Sequence, residues 1–366
     1  MIANESEKPC CSCSKECCGK EVPNQDEGNK KWVTSVVRTP IGAIPKISTK
    51  LTLEDTFGSW KARWGVNRMN YRIDPGLYGV GTPDDTQPVL VTSNYKLSFD
   101  LLRKELTGIN AWIMVLDTKG INVWCAAGKG TFGTNELLKW ISQTKLSQII
   151  SHRTIILPQL GASGVSAHEV QKNSGFKVIY GPVRATDIRE FLNFRMKATP
   201  EMRTVKFTFS NRLILTPIEL VGALKPLLVF LGILFILNLL GIGPFRIIDF
   251  YAFIGAVLIG TVLVPVLLPW IPGRAFSWKG WLLGILWAVA INIHYFNYSD
   301  YSWLRSLTYV LILPPVTAFF AMNFTGASTY TSLSGVVKEM KIAIPSMIIS
   351  TGLGIILILI NSFVKI

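Results

Sequence analysis

The residues best suited to chemistry lie in the segment 120–133, GINVWCAAGKGTFG, which holds the one cysteine that follows the first eighteen residues. Cys125 stands between Trp124 and two alanines, and three glycines come soon after it: Gly128, Gly130 and Gly133. Glycine lets a large flat ligand or a second backbone approach closely, and Asn122 is a residue type that caps helix starts. A thiolate attacks electrophiles or ligates soft metals, whereas a lone cysteine often packs as a small hydrophobic residue. Composition alone leaves both interpretations of Cys125 open.

A second set of thiols lies near the N-terminus. Its members are Cys10, Cys11, Cys13, Cys17 and Cys18. Adjacent cysteines are awkward to bridge by disulfides, and the run lacks the spaced cysteines of a ferredoxin cluster. Residues 1–31 are polar and contain no apolar secretory stretch, so we expect a disordered tail. The tail is either a trap for a soft metal such as Hg(II) or a solvated, thiol-bearing segment.

Three familiar site types fit the Cys125 segment poorly. Residues 128–133 match the GxGxxG pattern of dinucleotide sites, but the acid expected about twenty residues later is missing between residues 137 and 168. A phosphate-binding P-loop needs Ser or Thr after its lysine, and a glycine follows Lys129. A nucleophilic cysteine would need a histidine and an orienting group, and His152 and His168 lie in no recognisable hydrolase context.

The segment resembles a known family through eight consecutive residues: Asn122, Val123, Trp124, Cys125, Ala126, Ala127, Gly128 and Lys129. They are similar to the cap-helix signature of the membrane-bound corrinoid protein of the mercury-methylating pair, which is related to the corrinoid subunit of the corrinoid iron-sulfur protein. The resemblance extends from about Leu51 onward, because a soluble domain followed by a multi-span membrane part is also the family's layout. The first thirty residues lie outside it.

The resemblance implies a corrinoid-dependent methyltransferase that converts Hg(II) to methylmercury in an anaerobic setting. It implies a corrinoid bound with its own nucleotide base displaced (base-off), with Cys125 as the catalytic residue and lower axial cobalt ligand. A thiolate donates more electron density than an imidazole, which favours transfer of the methyl group to a soft electrophile. The same ligand stabilises oxidised cobalt, so a strongly reducing partner is needed. The family supplies a ferredoxin-like [4Fe-4S] protein, and the methyl group comes from a folate-linked methyltransferase.

The neighbouring residues receive expected roles on the same basis. Val123 and Trp124 would pack the short helix against its domain, while Ala126, Ala127 and Gly128 would give the corrin ring clearance. Lys129 would meet a corrinoid amide or the displaced phosphate, or would simply be solvated. Candidates for holding the cofactor tail are Thr92, Ser93, Asn94 and the loop at residues 161–164.

Alternating strand and helix patterns must position these residues. Strands are expected at residues 88–92, 111–116, 154–157 and 176–180, and helices at 98–106, 135–150, 166–173 and 185–194. This alternation predicts a parallel α/β sheet, and with the resemblance a Rossmann-like corrinoid-binding domain. Ligands of such sheets bind at the carboxyl ends of the strands, where four loops rich in small or polar residues would converge around the thiol.

The chain divides into four predicted parts. They are a disordered cysteine-rich tail (1–31), the corrinoid-binding α/β domain (32–200), a linker (201–220) and an all-α transmembrane domain (221–366). Glycines and prolines punctuate residues 32–85, which we expect to form an extended lead-in. Residues 201–212 are expected to be a strand or linker.

The C-terminal part predicts about five membrane spans. Apolar runs occur at residues 224–242, 247–270, 281–296, 304–324 and 342–364. Basic residues predominate on one proposed side (Arg212, Lys225, Arg274, Lys279, Lys338 and Lys341) over the other (Arg246, Arg305 and Lys365). This bias predicts a multi-pass protein of the inner (cytoplasmic) membrane, with the soluble domain in the cytoplasm and the C-terminus outside.

Two further function classes are weighed against this interpretation. The net charge of +14 could indicate nucleic-acid binding, but no basic stripe with interleaved aromatics is present, so no nucleic-acid partner is expected. A transporter with a cytoplasmic regulatory domain is disfavoured because the polar exceptions in the spans are few: Asn238, Asn292, His294 and Asn323. We expect His294 to be interfacial. A membrane-tethered corrinoid carrier with another natural methyl acceptor remains the nearest alternative.

Overall fold

The computed structural model describes residues 30–241, 245–296, 302–328 and 330–364. A mixed α/β sheet domain comes first and a helical region follows. The N-terminal cysteines lie outside the described residues, so the proposed tail functions stay predictions.

One seven-stranded sheet organises the described part of the α/β domain. Its strands are Val33–Thr39 (β1), Gly42–Ile47 (β2), Gly76–Val80 (β3), Val89–Ser93 (β4), Ala111–Leu116 (β5), Thr154–Leu157 (β6) and Lys177–Tyr180 (β7). The spatial order is β1-β2-β3-β5-β4-β6-β7. The four predicted strands are present as β4 to β7 and run parallel to one another, but β3 is antiparallel to β5 and β1 is antiparallel to β2. The sheet is therefore mixed, and the prediction of a parallel sheet is right only for its larger half.

Helices cover both faces of this sheet. They are Leu53–Arg63 (α1), Lys96–Glu105 (α2), Val123–Gly128 (α3), Thr134–Gln143 (α4), Ala167–Ser174 (α5) and Ile188–Asn193 (α6). Alternation along β5 shows the two-sided burial, since Trp112 and Met114 enter one core and Ile113 and Val115 the other. Strands buried on both faces read as continuous apolar runs, which is why the sequence pattern located them.

Two predicted boundaries in this domain were wrong. The helix expected over residues 135–150 ends at Gln143, because Lys145 adopts a left-handed backbone with φ of 44°. Residues 32–85 are not an extended lead-in, since they form β1, β2, α1 and β3. The glycines of β3 made this strand hard to recognise in the sequence, but close packing requires a glycine at position 79. A Cβ on Gly79 would lie 3.0 Å from Val37 Cγ2 and 3.5 Å from the Trp112 ring.

The C-terminal region consists of helices within the described residues. They are Phe209–Leu213 (α7), Thr216–Leu239 (α8), Ile247–Leu258 (α9), Val264–Leu267 (α10), Phe276–Phe296 (α11), Trp303–Asn323 (α12) and Leu333–Val364 (α13). A π-helical turn, Ile259–Leu263, joins α9 to α10. Five helical segments are long and apolar enough to cross a membrane. Residues 201–212 contain no strand. Their last part enters α7, whose start is capped by the Thr208 hydroxyl accepting from the Asn211 N–H.

The helical region contains more ionisable groups than the list of polar exceptions anticipated. Asp249 on α9 accepts hydrogen bonds from Arg305 Nη2 (2.9 Å) and Tyr309 Oη (2.6 Å) on α12. Lys279 is buried near the start of α11 and donates to the carbonyls of Leu268 and Ile271. These charges have protein partners, so they stabilise contacts between helices.

Candidate functional site

Helix α3 presents Cys125 at the carboxyl edge of the sheet. The chain leaves the end of β5, turns through residues 117–121 and enters this six-residue helix. Asn122 is the N-cap, with φ of −65° and ψ of 160°, and its Oδ1 accepts a hydrogen bond from the Cys125 backbone N–H at 2.9 Å. The predicted cap is therefore confirmed, and it holds the backbone of the cysteine itself.

Asn94, at the end of β4, organises the turn before α3. Its Oδ1 accepts from the Thr118 N–H (3.1 Å), the Thr118 hydroxyl (2.9 Å) and the Gly120 N–H (2.9 Å). Its Nδ2 donates to Asp117 Oδ1 at 3.0 Å. Both polar ends of Asn94 are occupied by the loop. The side chain of Asn94 therefore positions this loop, and its contact with a cofactor tail stays a prediction.

The outer side of α3 is open. Cys125 is a free, exposed thiol, and a Cβ placed on Gly128 would meet nothing within 4 Å. Lys129, the C-cap of the helix, is also exposed. A broad ligand can thus approach the thiol over Gly128, which agrees with the clearance expected there.

The burial of the α3 side chains differs from what was expected for Ala126, Ala127 and Trp124. Ala126 and Ala127 are 0% and 5% exposed and belong to the core of the domain, so they give no clearance to a ligand. Val123 packs inward as expected. Trp124 does not pack the helix down, because it is 38% exposed and lines a neighbouring cavity.

The loop at residues 161–164 packs beneath α3. A Cβ on Gly164 would lie 2.2 Å from the Phe132 carbonyl oxygen and 3.0 Å from Ala127 Cα, and one on Gly161 would lie 2.5 Å from the Phe132 ring. These glycines allow close backbone packing. Their role beneath the helix replaces the predicted contact with the cofactor tail.

A cavity of about 350 Å³ lies next to α3, where β4, β6 and β7 end. Most of its wall is apolar, and its polar or charged lining residues are Arg63, Arg68, Thr92, Tyr95, Ser98 and Asn122. Ile214, Leu215 and Ile218, around the start of α8, complete the wall. Of the three predicted strand-end residues, Thr92 lines this cavity. Cys125 lies just outside it, one residue beyond Trp124.

Two hydroxyls at or just after the end of β4 are buried without a hydrogen-bond partner among the described residues: Ser93 Oγ and Tyr95 Oη. Tyr95 is 2% exposed and lines the cavity, and the Arg68 guanidinium lies 5.4 Å from its ring centroid. Burial raises the pKa of Tyr95 although the charges of Arg68 and Arg63 oppose the shift. The phenol therefore remains a protonated hydrogen-bond donor at neutral pH.

Sequence reasoning placed Tyr95 in a strand-end loop without giving it a role of its own, and it missed Arg63 and Arg68. Tyr95 directly follows the predicted strand-end residues 92–94, so its position was the available signal. Arg63 and Arg68 come from the segment expected to be an extended lead-in, and only the fold brings them to the cavity.

Comparison with known proteins places relatives on this same segment. Residues 66–192 match the family profile described as CO dehydrogenase/acetyl-CoA synthase delta subunit. The chain is 30% identical over 127 residues to the acetyl-CoA decarbonylase/synthase complex subunit gamma of Archaeoglobus fulgidus, covering 34% of this chain and 27% of that protein. It is 28% identical over 136 residues to the corrinoid/iron-sulfur protein large subunit of Moorella thermoacetica, covering 36% and 30%. This segment is related in sequence to a corrinoid protein.

The likeness is confined to part of each molecule. The matched stretch spans 27% to 30% of the length of these two relatives. The segment matched by the family profile, residues 66–192, includes α3 and the strands β3 to β7. It contains Cys125 and most of the cavity lining, whereas Arg63 and the lining residues around the start of α8 lie outside it.

Proposed function

We propose that this chain is a membrane-anchored, corrinoid-dependent methyltransferase that transfers a methyl group to Hg(II) and forms methylmercury. The observation that carries the proposal is the exposed Cys125 thiol on the capped helix α3, within the segment related to a corrinoid/iron-sulfur protein. The eight-residue resemblance at 122–129 supports the specific acceptor.

The residues around α3 suit a corrinoid. Cys125 Sγ would ligate the cobalt, and the open surface over Gly128 leaves room for a wide ring. The two unpartnered hydroxyls, Ser93 and Tyr95, would donate to polar groups of a displaced nucleotide tail. A bound corrinoid would supply a transferable methyl group on cobalt.

The chain's own residues would tune and orient this site. The Cys125 thiolate would donate electron density to the metal, and the Asn122 cap would hold its backbone in place. Arg63 and Arg68 bring positive charge to the cavity wall, which suits a phosphate-bearing tail.

The remaining parts of the proposal concern partners and location. A ferredoxin-like [4Fe-4S] protein would return the cofactor to its reactive state, and a folate-linked methyltransferase would supply the methyl group. The N-terminal thiols, Cys10 to Cys18, would capture Hg(II). The five apolar helices would span the inner membrane with the α/β domain in the cytoplasm, which the distribution of basic flanking residues supports.

Methylmercury formation in cells tests the function. Cells that carry this chain and its reducing partner, supplied with Hg(II), are expected to form methylmercury, and cells with Cys125→Ala are not. Cys125→His is the matched control for donor strength, because imidazole also ligates cobalt but donates less. Full activity of Cys125→Ala would contradict the axial-ligand role. A cobalt-loaded wild type that forms no methylmercury would instead indicate a corrinoid carrier with another acceptor.

A further inference from the structure

Helix α1 turns its apolar side outward. Leu53, Phe57, Trp60 and Trp64 are 78%, 58%, 62% and 48% exposed. Their spacing of four, three and four residues places them in one row, here called the α1 stripe, which ends at the helix C-cap. The opposite side carries the buried residues of this helix, Asp55 and Ala62. An ordinary surface helix has the reverse arrangement.

Buried ion pairs hold α1 in this orientation. Asp55 accepts from Arg103 Nη2 at 2.7 Å and also pairs with Lys96, both on α2. Arg103 is fully buried, and its Nη1 donates to the carbonyls of Ser48 (2.6 Å) and Lys50 (3.0 Å) just before α1. Rolling the helix to bury the stripe would break this network and leave charges without partners. The outward direction of the stripe is therefore built into the fold.

The stripe ends beside the first candidate membrane span. A Cβ on Gly65, directly after Trp64, would lie 3.6 Å from Val221 Cγ1 on α8. Further along α8, Leu224 and Leu228 are 43% and 65% exposed and belong to the apolar part of the span. The C-terminal end of α1, where the stripe ends, therefore lies next to a helix long and apolar enough to enter a bilayer.

Aromatic and basic residues mark the same end of the helical region. Phe209, before α8, lies 6.4 Å from Trp270 between ring centroids, and the Arg212 guanidinium lies 5.3 Å from the Trp270 ring. Tryptophan is enriched at membrane–water interfaces, whereas the Arg212 side chain is buried and donates to the carbonyls of Val266 and Phe207. Lys61 is exposed on α1, and a lysine beside an apolar stripe can extend its ammonium group toward lipid phosphates.

We propose that the α1 stripe lies in the headgroup region of the bilayer, in the leaflet next to the α/β domain, as an interfacial amphipathic helix. This inference rests on the membrane placement proposed above and is independent of the corrinoid and of mercury. Its occupant is lipid, since the stripe ends next to α8, a helix long and apolar enough to enter a bilayer. One consequence is that Arg63 of α1, and with it the cavity wall, is held against the membrane surface.

Spin labels on the full-length chain test this placement. In a background with the N-terminal cysteines changed to serine and Cys125→Ala, single labels are attached at Phe57→Cys and Trp60→Cys, and the protein is placed in phosphatidylcholine–phosphatidylglycerol nanodiscs. Because both side chains are more than half exposed, these substitutions remove little packing. Leu228→Cys serves as the lipid control, and Gln171→Cys, exposed on α5, as the aqueous control.

Collision rates with oxygen and with a water-soluble nickel chelate separate the outcomes. The expected result is oxygen-dominated relaxation at positions 57 and 60, as at 228, and nickel-dominated relaxation at 171. Nickel-dominated relaxation at 57 and 60 with a lipid-like signal at 228 would overturn the inference alone. Protection from both reagents with immobilised spectra would also overturn it, because protein would then cover the stripe. A nickel-dominated signal at 228 would overturn the membrane placement as well.

Discussion

Cys125 depends on one side chain for its position. The Asn122 Oδ1 that accepts its backbone N–H is the side-chain cap of α3, a helix of six residues. A helix this short has little stability of its own. The geometry of the thiol therefore depends on the cap and on the packing beneath it.

Removing that cap should weaken corrinoid binding. Loss of an N-cap asparagine costs about 1 kcal/mol, so Asn122→Ala is expected to raise the dissociation constant for a cobalt corrinoid roughly fivefold. Absorbance titration of the purified full-length protein measures it. Asn122→Asp keeps an oxygen acceptor at the same place and should bind nearly as the wild type does. Equal affinity of all three proteins would show that the cap is dispensable.

Two glycines distinguish the space for a ligand from the space needed by the fold. Gly128→Ala meets nothing within 4 Å, so the protein should fold normally and lose corrinoid affinity if the ring approaches there. Gly164→Ala would place its Cβ 2.2 Å from the Phe132 carbonyl oxygen and should displace α3, lowering thermal stability as well as affinity. Thermal unfolding and corrinoid titration of both variants measure the difference. Unchanged affinity in a well-folded Gly128→Ala protein would contradict the placement of the ring.

At this scale the sequence predicted the cap of α3, and the reactive role of Cys125 stays a prediction, but the sequence did not predict where the neighbouring side chains point. Cys125 and Asn122 stand out by residue type alone. Ala126 and Ala127 were assigned to the ligand because they are small, yet a short helix must bury one side, and that side is theirs. Tyr95 was given no role of its own, because only the folded surroundings show that its hydroxyl has no hydrogen-bond partner among the described residues.

Among the elements, α1 and α2 are joined by buried charge. Asp55, Lys96, Asp100 and Arg103 form a network in which Arg103 bonds both carboxylates. Burial alone would raise the pKa of Asp55. The hydrogen bonds from Lys96 and the Thr52 backbone, with the charges of Lys96 and Arg103, outweigh it and hold that pKa well below its ordinary value of 3.8.

Breaking this network should loosen α1 from the domain. Asp55→Asn leaves Arg103 buried beside a neutral partner, and the expected loss is about 3 kcal/mol. Hydrogen exchange of the α1 amides in the full-length protein measures it. Glu54→Gln, at an exposed position next in sequence, is the control and should change little. Unchanged exchange in Asp55→Asn would contradict the structural role of the pair.

The same network predicts a pH dependence. A carboxylate with a lowered folded-state pKa stabilises the fold above its unfolded pKa, and this contribution is lost as the pH falls toward the folded value. Wild-type stability should therefore decrease below about pH 4 more steeply than that of Asp55→Asn. Parallel pH profiles for the two proteins, measured by the same exchange experiment, would show that Asp55 is not the group responsible.

The sequence located elements where burial makes a regular pattern and missed them where it does not. The strands β4 to β7, of which β7 lies at the edge of the sheet, are short and mainly apolar runs and were found. The strands β1 to β3 were missed because β3 carries glycines that close packing requires, and β1 is an edge strand with half of its side chains in water. The ion-pair partners of α1, Lys96 and Arg103, lie far from it along the chain, so no local sequence pattern indicates these contacts.

For the whole molecule, five apolar helices and their basic flanks predict which end faces the cytoplasm. A fusion of alkaline phosphatase, active only outside the cytoplasm, to the C-terminus is expected to be active. A fusion after Trp270, at the end of the second span, is expected to be inactive. Activity in the reverse pattern would invert the proposed orientation and place the α/β domain outside, away from any cytoplasmic methyl donor.

The cobalt–thiolate bond is the most direct test of the proposed chemistry. The full-length protein is reconstituted with a cobalt corrinoid, and its absorption spectrum is compared with that of Cys125→Ala prepared in the same way. The expected result is a cobalt–thiolate spectrum in the wild type that is absent from the variant. Failure of the wild type to bind the corrinoid, or identical spectra for the two proteins, would contradict the proposed cobalt–thiolate bond. Cys125 would then be only an exposed thiol on a short helix.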